Sequence, residues 1–211
     1  MLMVVNLKHY VYGSRTLELV RKIDIYFNNA IVAVNAVDLA DIAKNTTIPV
    51  YGQHVDHFPL GRATGYLLPE VLKEAGASGS LLNHSEHKLS FTRIKKTLER
   101  CQELNFKLVV CVSSLREAEK VSLLKPYAIA FEDPALIETG KSITQYKTHE
   151  IKKFVEIMKN SLTLSLCGAG ISSARDVQEA LALGCQGVLV ASAIANSPKP
   201  EQFLKEIAAL K

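Results

Sequence analysis

Short apolar runs alternate with amphipathic stretches along this chain, and the alternation repeats about eight times. The apolar runs are rich in β-branched residues and have no polar face, which is typical of strands buried in a parallel sheet. They predict strands at residues 3–8, 30–35, 48–53, 79–83, 108–112, 128–131, 162–166 and 187–190. Apolar residues with helical spacing lie between them and predict helices that include residues 15–27, 91–104, 149–159, 172–183 and 200–210.

Eight such units without a long linker predict one α/β domain over residues 1–211, a (β/α)8 TIM barrel. An open, doubly wound sheet is the alternative. Polar residues favour the barrel, because they stand where predicted strands end and a barrel brings those ends to one pocket. These residues are Asn6, Lys8, Gln53, Asn83, His84, Glu132 and residues 168–170. The chain is short for this fold, which usually needs about 250 residues, so its helices and loops must be trimmed.

The amino-acid composition limits the kinds of partner that we expect for this chain. The net charge is +4 and no run of Lys or Arg exceeds a pair, so we expect no nucleic-acid partner and a field that favours a small anionic substrate. The four cysteines show no CxxC spacing, which indicates a reducing compartment, the cytoplasm. The first apolar residues are too few for a secretion signal and no segment is long enough to span a membrane, so we expect no membrane partner.

Glu132 is the first candidate for chemistry. It ends the apolar run 128–131 and is followed by a loop that begins with Asp133-Pro134 and has an apolar tip. A carboxylate in a partly desolvated pocket has a raised pKa and can act as a general base. The loop has the composition of a lid that excludes water. The alternative is an ion pair between Glu132 and a lysine of the barrel.

His84 follows another apolar run, and Ser85 after it predicts the start of a helical turn. The positive end of such a turn disfavours imidazolium, so we expect a neutral ring that can hydrogen-bond a carbonyl oxygen. The alternative is a structural histidine.

Asn6 and Lys8 stand two apart on a predicted strand and should share a face, where Lys8 could stabilise a developing negative charge. The alternative is a solvent-exposed lysine.

The segments Cys167-Gly-Ala-Gly-Ile-Ser172 and Val190-Ala-Ser-Ala193 precede predicted helical turns after the last two strands, where backbone N–H groups can bind phosphate. Plain helix-capping turns are the alternative here.

Taken in order, these motifs resemble the triosephosphate isomerase family in its compact archaeal-type branch, over nearly the whole chain. The resemblance implies a glycolytic and gluconeogenic isomerase that interconverts dihydroxyacetone phosphate and D-glyceraldehyde 3-phosphate through an enediolate, with no cofactor and no metal. It implies that Asn6 and Lys8 contact the phosphorylated triose, that His84 is the electrophile and that Glu132 is the base. Backbone contacts to the lid and phosphate would come from Ile137, Gly170, Ala191 and Ser192.

The resemblance also implies self-association as a homodimer or homotetramer, with the loop 61–65 entering a neighbouring subunit and Thr64 at its tip. Asp133 and Glu138 add two acids to the lid. They would weaken binding of a dianion if they face the pocket and would have no effect if they point into solvent.

Two other functions stay open at this point. One is another phosphate-binding barrel enzyme, such as a lyase or a biosynthetic isomerase, which would usually need a Schiff-base lysine or a pair of carboxylates. Neither is evident at the other strand ends. The other is a non-catalytic sugar-phosphate-binding regulator, which would need neither Glu132 nor His84.

Overall fold

The computed structural model describes residues 1–137, 139, 141–159 and 161–210. Within them, eight parallel strands close into a barrel in chain order, with the last strand paired to the first. The strands are β1 (Leu2–Asn6), β2 (Ala30–Val34), β3 (Val50–Gly52), β4 (Gly79–Leu82), β5 (Lys107–Val112), β6 (Ala128–Phe131), β7 (Leu164–Cys167) and β8 (Gly187–Val190). The predicted (β/α)8 barrel is confirmed, and the open sheet is excluded by the β1–β8 pairing.

Helices cover the outside of the barrel. Those in the described residues are α1 (Ser14–Tyr26), α2 (Leu39–Lys44), α3 (Pro69–Glu74), α4 (Phe91–Glu103), α5 (Leu115–Ser122), α6 (Ile143–Tyr146), α7 (Thr148–Met158), α8 (Ala174–Ala182), α9 (Ser192–Ala195) and α10 (Pro200–Ala208). A short 3-10 helix at Pro134–Leu136 follows β6. Several helices have only four to six residues, as the short chain requires. No helix in the described part of the chain is both long and apolar enough to cross a membrane.

The strand pleat divides the apolar residues between two layers. The larger layer lies between strands and helices, and a smaller one fills the barrel interior. On β6, Ala128 and Ala130 face the interior, so the next residue in this alternation is Glu132. On β1, Val4 faces the interior and Asn6 comes next. The period of two that buries the core therefore also brings these polar residues to the carboxyl end of the barrel.

Three predicted strand boundaries were wrong by two residues. β1 ends at Asn6, because Lys8 has a left-handed backbone with φ of 46° that cannot continue a strand. Asn6 and Lys8 are therefore not two positions on one strand face. β3 starts only at Val50, after Pro49, which has no N–H for the ladder. β7 starts at Leu164, and Leu162 is fully exposed.

The predicted helix start at Phe91 is confirmed for α4, where the Ser90 hydroxyl accepts from the Arg93 N–H at 3.4 Å. The turn predicted at Ser85 is a single turn, closed by the His87 N–H on the His84 carbonyl at 2.8 Å, and it does not continue as a helix. One predicted helix start was wrong. After the glycine loop, α8 begins at Ala174 rather than Ser172. Its start is fixed by a capping box in which Ser173 and Asp176 bond each other's backbone N–H.

Candidate active site

A pocket of about 490 Å³ opens at the carboxyl ends of the strands. It contains every residue predicted for the site except Thr64. Its lining consists of Asn6, Lys8, Tyr10, His84, Glu132, Ile137, Ala169, Gly170, Ile171, Ser172, Leu189, Val190, Ala191, Ser192 and Asn196. The structure therefore brings together residues from or just after β1, β4, β6, β7 and β8, which lie far apart in the chain.

Glu132 lies at the centre of this arrangement and is only 5% exposed. Its Oε2 is buried without a hydrogen-bond partner among the described residues and lies 3.8 Å from Nε2 of His84. Burial raises the pKa of Glu132 above its usual 4.5, and this effect outweighs the opposing pull of His84, the Cys111 thiol and Lys8. The predicted alternative, an ion pair with a lysine, does not occur in the described residues.

The Cys111 thiol, on β5, lies beside Glu132 within the barrel. Burial, and next the negative charge of Glu132, raise the pKa of this thiol well above its usual range, so it stays protonated beside the carboxylate. A neutral thiol is thus the neighbour of Glu132 on β5, while Oε2 stays available on the side of His84.

His84 has a defined tautomer. The Glu86 N–H donates to Nδ1 at 3.2 Å, and because a backbone N–H can only donate, Nδ1 must carry a lone pair. The ring proton is then on Nε2, the nitrogen that faces Glu132. The predicted neutral imidazole is supported by this bond and not by the helix start that the sequence indicated.

Lys8 reaches the pocket through its unusual backbone. The Asn6 side chain accepts from the Lys8 N–H at 3.0 Å, and the Gln53 amide donates to the Lys8 carbonyl at 2.9 Å. The ammonium lies 2.6 Å from a carboxylate oxygen of Glu86, and the Lys8 side chain is only 11% exposed. Lys8 is therefore held beside the pocket, and the alternative of a solvent-exposed lysine is wrong.

Backbone from the loops after β7 and β8 forms one corner of the pocket. Gly170 has φ of 70°, and an added Cβ there would overlap the Lys141 carbonyl, so only glycine fits. Ala191 and Ser192 lie at the start of α9. The N–H groups of Ser172 and Ser173 are taken by Asp176, at 3.0 and 2.9 Å. The Ser172 and Ser173 N–H groups are therefore not available to an anion at this corner, which Gly170, Ala191 and Ser192 also line.

The segment after Glu132 turns its first acid away from the pocket. Asp133 accepts from the Ala135 N–H at 2.9 Å and lies 3.7 Å from the Lys147 ammonium. The interpretation in which Asp133 lies away from the pocket is favoured. Glu138 lies outside the described residues.

Thr64 is exposed at the tip of a loop that is closed at its base by Asp56 and Leu67, whose backbones bond at 2.7 Å. Beside it, a second pocket of about 630 Å³ contains Asn6 and Lys8 together with His54 and His87. The rings of these two histidines stack at 4.0 Å.

Sequence reasoning gave no role to Glu86 or Cys111. Glu86 stands two residues after His84, and this spacing was the available signal. Cys111 lies two residues after Val109 on a strand that places both in the barrel interior, so the alternation could have indicated it. In the part of the chain that the structure describes, no three His, Cys, Asp or Glu side chains are grouped as metal ligands would be.

A closed eight-stranded barrel with a polar pocket at the carboxyl ends of its strands is the architecture of (β/α)8-barrel enzymes. The model of the triosephosphate isomerase family matches residues 1–210. The chain therefore belongs to the triosephosphate isomerase family, which settles the choice against other phosphate-binding barrel families.

Triosephosphate isomerases of archaea are similar to this chain over nearly its whole length. The chain is 40% identical over 210 residues to triosephosphate isomerase of Metallosphaera sedula, which covers 96% of this chain and 92% of the relative. It is 38% identical over 210 residues to that of Sulfolobus acidocaldarius, at 96% and 91% coverage. With that of Methanocaldococcus jannaschii it shares 34% identity over 215 residues, at 98% coverage of both chains.

Proposed function

We propose that this chain interconverts dihydroxyacetone phosphate and D-glyceraldehyde 3-phosphate, with Glu132 as the base and His84 as the electrophile. The observation that carries the assignment is the buried, unpartnered Oε2 of Glu132 at 3.8 Å from the Nε2–H of His84. Binding a phosphate requires no such carboxylate. Removing a carbon-bound proton does, and burial with a raised pKa makes this carboxylate a stronger base.

In this mechanism the Glu132 carboxylate takes a proton from the carbon next to the substrate carbonyl. The Nε2–H of His84 donates a hydrogen bond to the carbonyl oxygen, which becomes an enediolate oxygen as the C–H bond breaks. Glu132 then returns the proton to the neighbouring carbon, while His84 moves a proton between the two oxygens. No net proton or electron is gained or lost, as an isomerisation requires.

Lys8 and Asn6 would hold the substrate. The Lys8 ammonium beside Glu86 belongs to a side chain that is only 11% exposed, and it can stabilise an enediolate oxygen or the phosphate. Phosphate would bind the backbone of Gly170, Ala191 and Ser192, and Ile137 would close the lid side, because all four line the pocket with Glu132.

We also propose that the chain self-associates as a homodimer or homotetramer, through insertion of Thr64 into the second pocket of a neighbouring subunit. Support comes from the exposure of the loop tip and from the presence of Asn6 and Lys8 in that pocket. A cytoplasmic location fits the four cysteines, all of them free and buried.

A coupled assay with glyceraldehyde 3-phosphate tests the proposed function. Glu132→Asp retracts the carboxylate by one methylene, and we expect turnover to fall by about 10²- to 10⁴-fold while affinity for a phosphate-bearing inhibitor stays within a few-fold. Glu156→Asp, the same change at an exposed position of α7, is the matched control and should behave as wild type. Undiminished turnover in Glu132→Asp would exclude Glu132 as the base.

A further inference from the structure

Glu117, in the first turn of α5, ties together two loops at the carboxyl end of the barrel. Its Oε2 accepts from the Ser113 N–H at 2.8 Å, directly after β5. Its Oε1 accepts from the Asn83 amide at 2.8 Å, directly after β4. The Lys88 ammonium lies 3.1 and 3.2 Å from the two oxygens. One carboxylate thus joins the loop after β4 to the loop after β5.

Asn83 carries this connection to the loop that holds His84. Its side chain is buried and uses both ends: the amide also donates to the Cys111 carbonyl at 2.8 Å, and its oxygen accepts from the Leu89 N–H at 2.8 Å. The loop 84–88 is therefore closed at both ends by one side chain, which Glu117 holds in turn. Asn83 also has φ of 60°, a conformation that such bonds must maintain.

The same connection reaches Glu132 from the other side. The Asn83 amide donates to the Cys111 carbonyl, and the Cys111 side chain is close enough to Glu132 for each to shift the pKa of the other. The two residues proposed for the chemistry thus depend on neighbours that are joined through Asn83. Glu117 itself is absent from the lining of the pocket.

We propose that Glu117 is a positioning residue for the isomerisation, which holds the His84 loop so that Nε2–H and the Glu132 carboxylate keep their relative orientation. This inference rests on the proposed function. A displacement of about 1 Å in such a pair can cost about 10²-fold in rate, so a residue outside the pocket can control turnover through geometry alone.

The electrostatics of the cluster support this role. Although burial pushes the pKa of Glu117 upward, the bonds from Ser113, Asn83 and Lys88 outweigh it and hold the pKa below its usual 4.5. Glu117 is therefore ionised wherever the enzyme works. Its charge offsets that of Lys88, which is one of the groups that lower the pKa of Glu132.

The test compares Glu117→Ala, which removes all the bonds, with Glu117→Gln, which keeps the size and loses the charge. Glu119→Gln, at an exposed position of the same helix, is the matched control. Turnover is expressed per active site, counted by titration with a phosphate-bearing enediolate mimic. We expect kcat per site to fall about 10- to 100-fold in Glu117→Ala with KM within about twofold, and less in Glu117→Gln. The control should keep wild-type values.

Two further readouts separate positioning from simple stability. In Glu117→Gln the uncompensated Lys88 charge should move the acid limb of the kcat/KM profile to lower pH, which loss of folded protein cannot do. The Nε2–H proton resonance of His84 should broaden or shift. If both Glu117 variants keep the wild-type kcat per site, whatever their melting temperatures, the inference is overturned. Glu132→Asp is assayed in parallel: if it alone loses turnover, the proposed function stands and the role of Glu117 fails.

Discussion

A Cβ atom added to Gly168 would lie 2.7 Å from Cγ of Glu132. Real Cβ atoms do not approach a neighbour so closely, so the side chain of Glu132 occupies space that only a glycine leaves open. Gly168 has no left-handed backbone, and its N–H donates to the Phe131 carbonyl at 3.0 Å. The reason for glycine at this position is thus the space for Glu132 and not the conformation of the chain.

Gly168→Ala should therefore impair the chemistry more than the fold. The backbone accepts alanine, and the relief of the contact must come from Glu132, whose carboxylate moves from its place beside His84. We expect kcat to fall by about 10²-fold, the effect of a small misplacement of a reacting group, with KM within a few-fold. Kinetics combined with circular dichroism measure both. Wild-type kcat in a folded Gly168→Ala protein would contradict the packing argument.

Glu132→Gln should raise stability while abolishing most of the activity. The pKa of Glu132 is raised in the folded protein, so the folded state holds this proton more tightly than the unfolded chain. The contribution of Glu132 to the free energy of unfolding is therefore fully present below its pKa of 4.5 in the unfolded chain. It is lost as pH rises through the higher pKa of the folded protein. At neutral pH the charged, unpartnered carboxylate is a cost. Gln removes this charge but is itself a buried polar group, so the gain we expect in the variant is on the order of 1 kcal/mol.

Denaturant melts of wild type and Glu132→Gln across the acid range provide the measurement. The advantage of the variant should shrink as pH falls toward 4.5, where the wild-type carboxyl becomes neutral. Activity should follow the opposite course, because only the ionised form is a base: kcat/KM should fall on the acid side below the raised pKa. An advantage that is independent of pH would show that charge burial at Glu132 is not its cause.

The Nδ1 atom of His84 should be unprotonated in the resting protein, because the Glu86 N–H donates to it. Nitrogen-15 NMR of labelled histidine distinguishes the two ring nitrogens directly. Glu86→Gln is an informative control, because it removes the carboxylate that pairs with Lys8 but keeps the backbone N–H. We expect the same tautomer in that variant. A proton on Nδ1 in either protein would exclude the arrangement described for His84.

Sequence reasoning identified the barrel and the residues that meet in the pocket because both depend on one local property. The pleat that alternates apolar residues on β6 and β1 continues to Glu132 and Asn6, so a pattern of period two determines core and site together. The segments after the last two strands predicted backbone contacts to a phosphate from the sequence alone. The resemblance to a known family narrowed them to Gly170, Ala191 and Ser192 and added Ile137.

The errors arose where contacts between distant segments determine local structure. Lys8 leaves the strand because Asn6 and Gln53 hold its backbone, and Gln53 lies 45 positions away. The turn predicted at Ser85 does not continue as a helix, and Asn83 closes that loop by bonds to Leu89 and Cys111. The pattern of apolar and polar residues along the chain gives no information about such bonds. The scaffolding role inferred for Glu117 was invisible in the sequence for the same reason.

Acid should destabilise the region around His54. Desolvation first, and then the adjacent His87 ring, lower the pKa of His54 below its usual 6.5. As pH falls, His54 is therefore protonated in the unfolded chain, at its usual pKa of 6.5, before it is protonated in the folded protein. The stability present above pH 6.5 is lost as pH falls toward the lower pKa of His54 in the folded protein. Asp56 opposes the shift and Arg93 adds to it. Melting temperatures of wild type between about pH 7.5 and about pH 5.5 should fall more than those of His87→Gln.

The control for this comparison is His149→Gln, because His149 is exposed on α7 and does not contact the stacked pair. Its acid sensitivity should match that of the wild type. If His87→Gln is as acid-sensitive as wild type, the stacked pair contributes nothing to the pH dependence.

The loop that ends in Thr64 should control self-association and activity together. The ends of this loop are joined by the Asp56–Leu67 bonds, and the rings of Phe58 and Tyr66 lie 4.1 Å apart in a tilted contact, so the loop is closed below its tip. If Thr64 enters the second pocket of a neighbour beside Lys8, a bulky charge at the tip must disrupt the contact. We expect Thr64→Arg to raise the dissociation constant of the subunits at least about tenfold, or about 1.4 kcal/mol, and to lower activity on dilution in parallel.

Gln202→Arg, which adds the same charge at an exposed position of α10, should alter neither the dissociation constant nor the activity. Sedimentation velocity and the coupled assay on the same dilution series measure both. A wild-type monomer with full turnover would contradict the proposed subunit contact and leave the Glu132–His84 site complete within one chain.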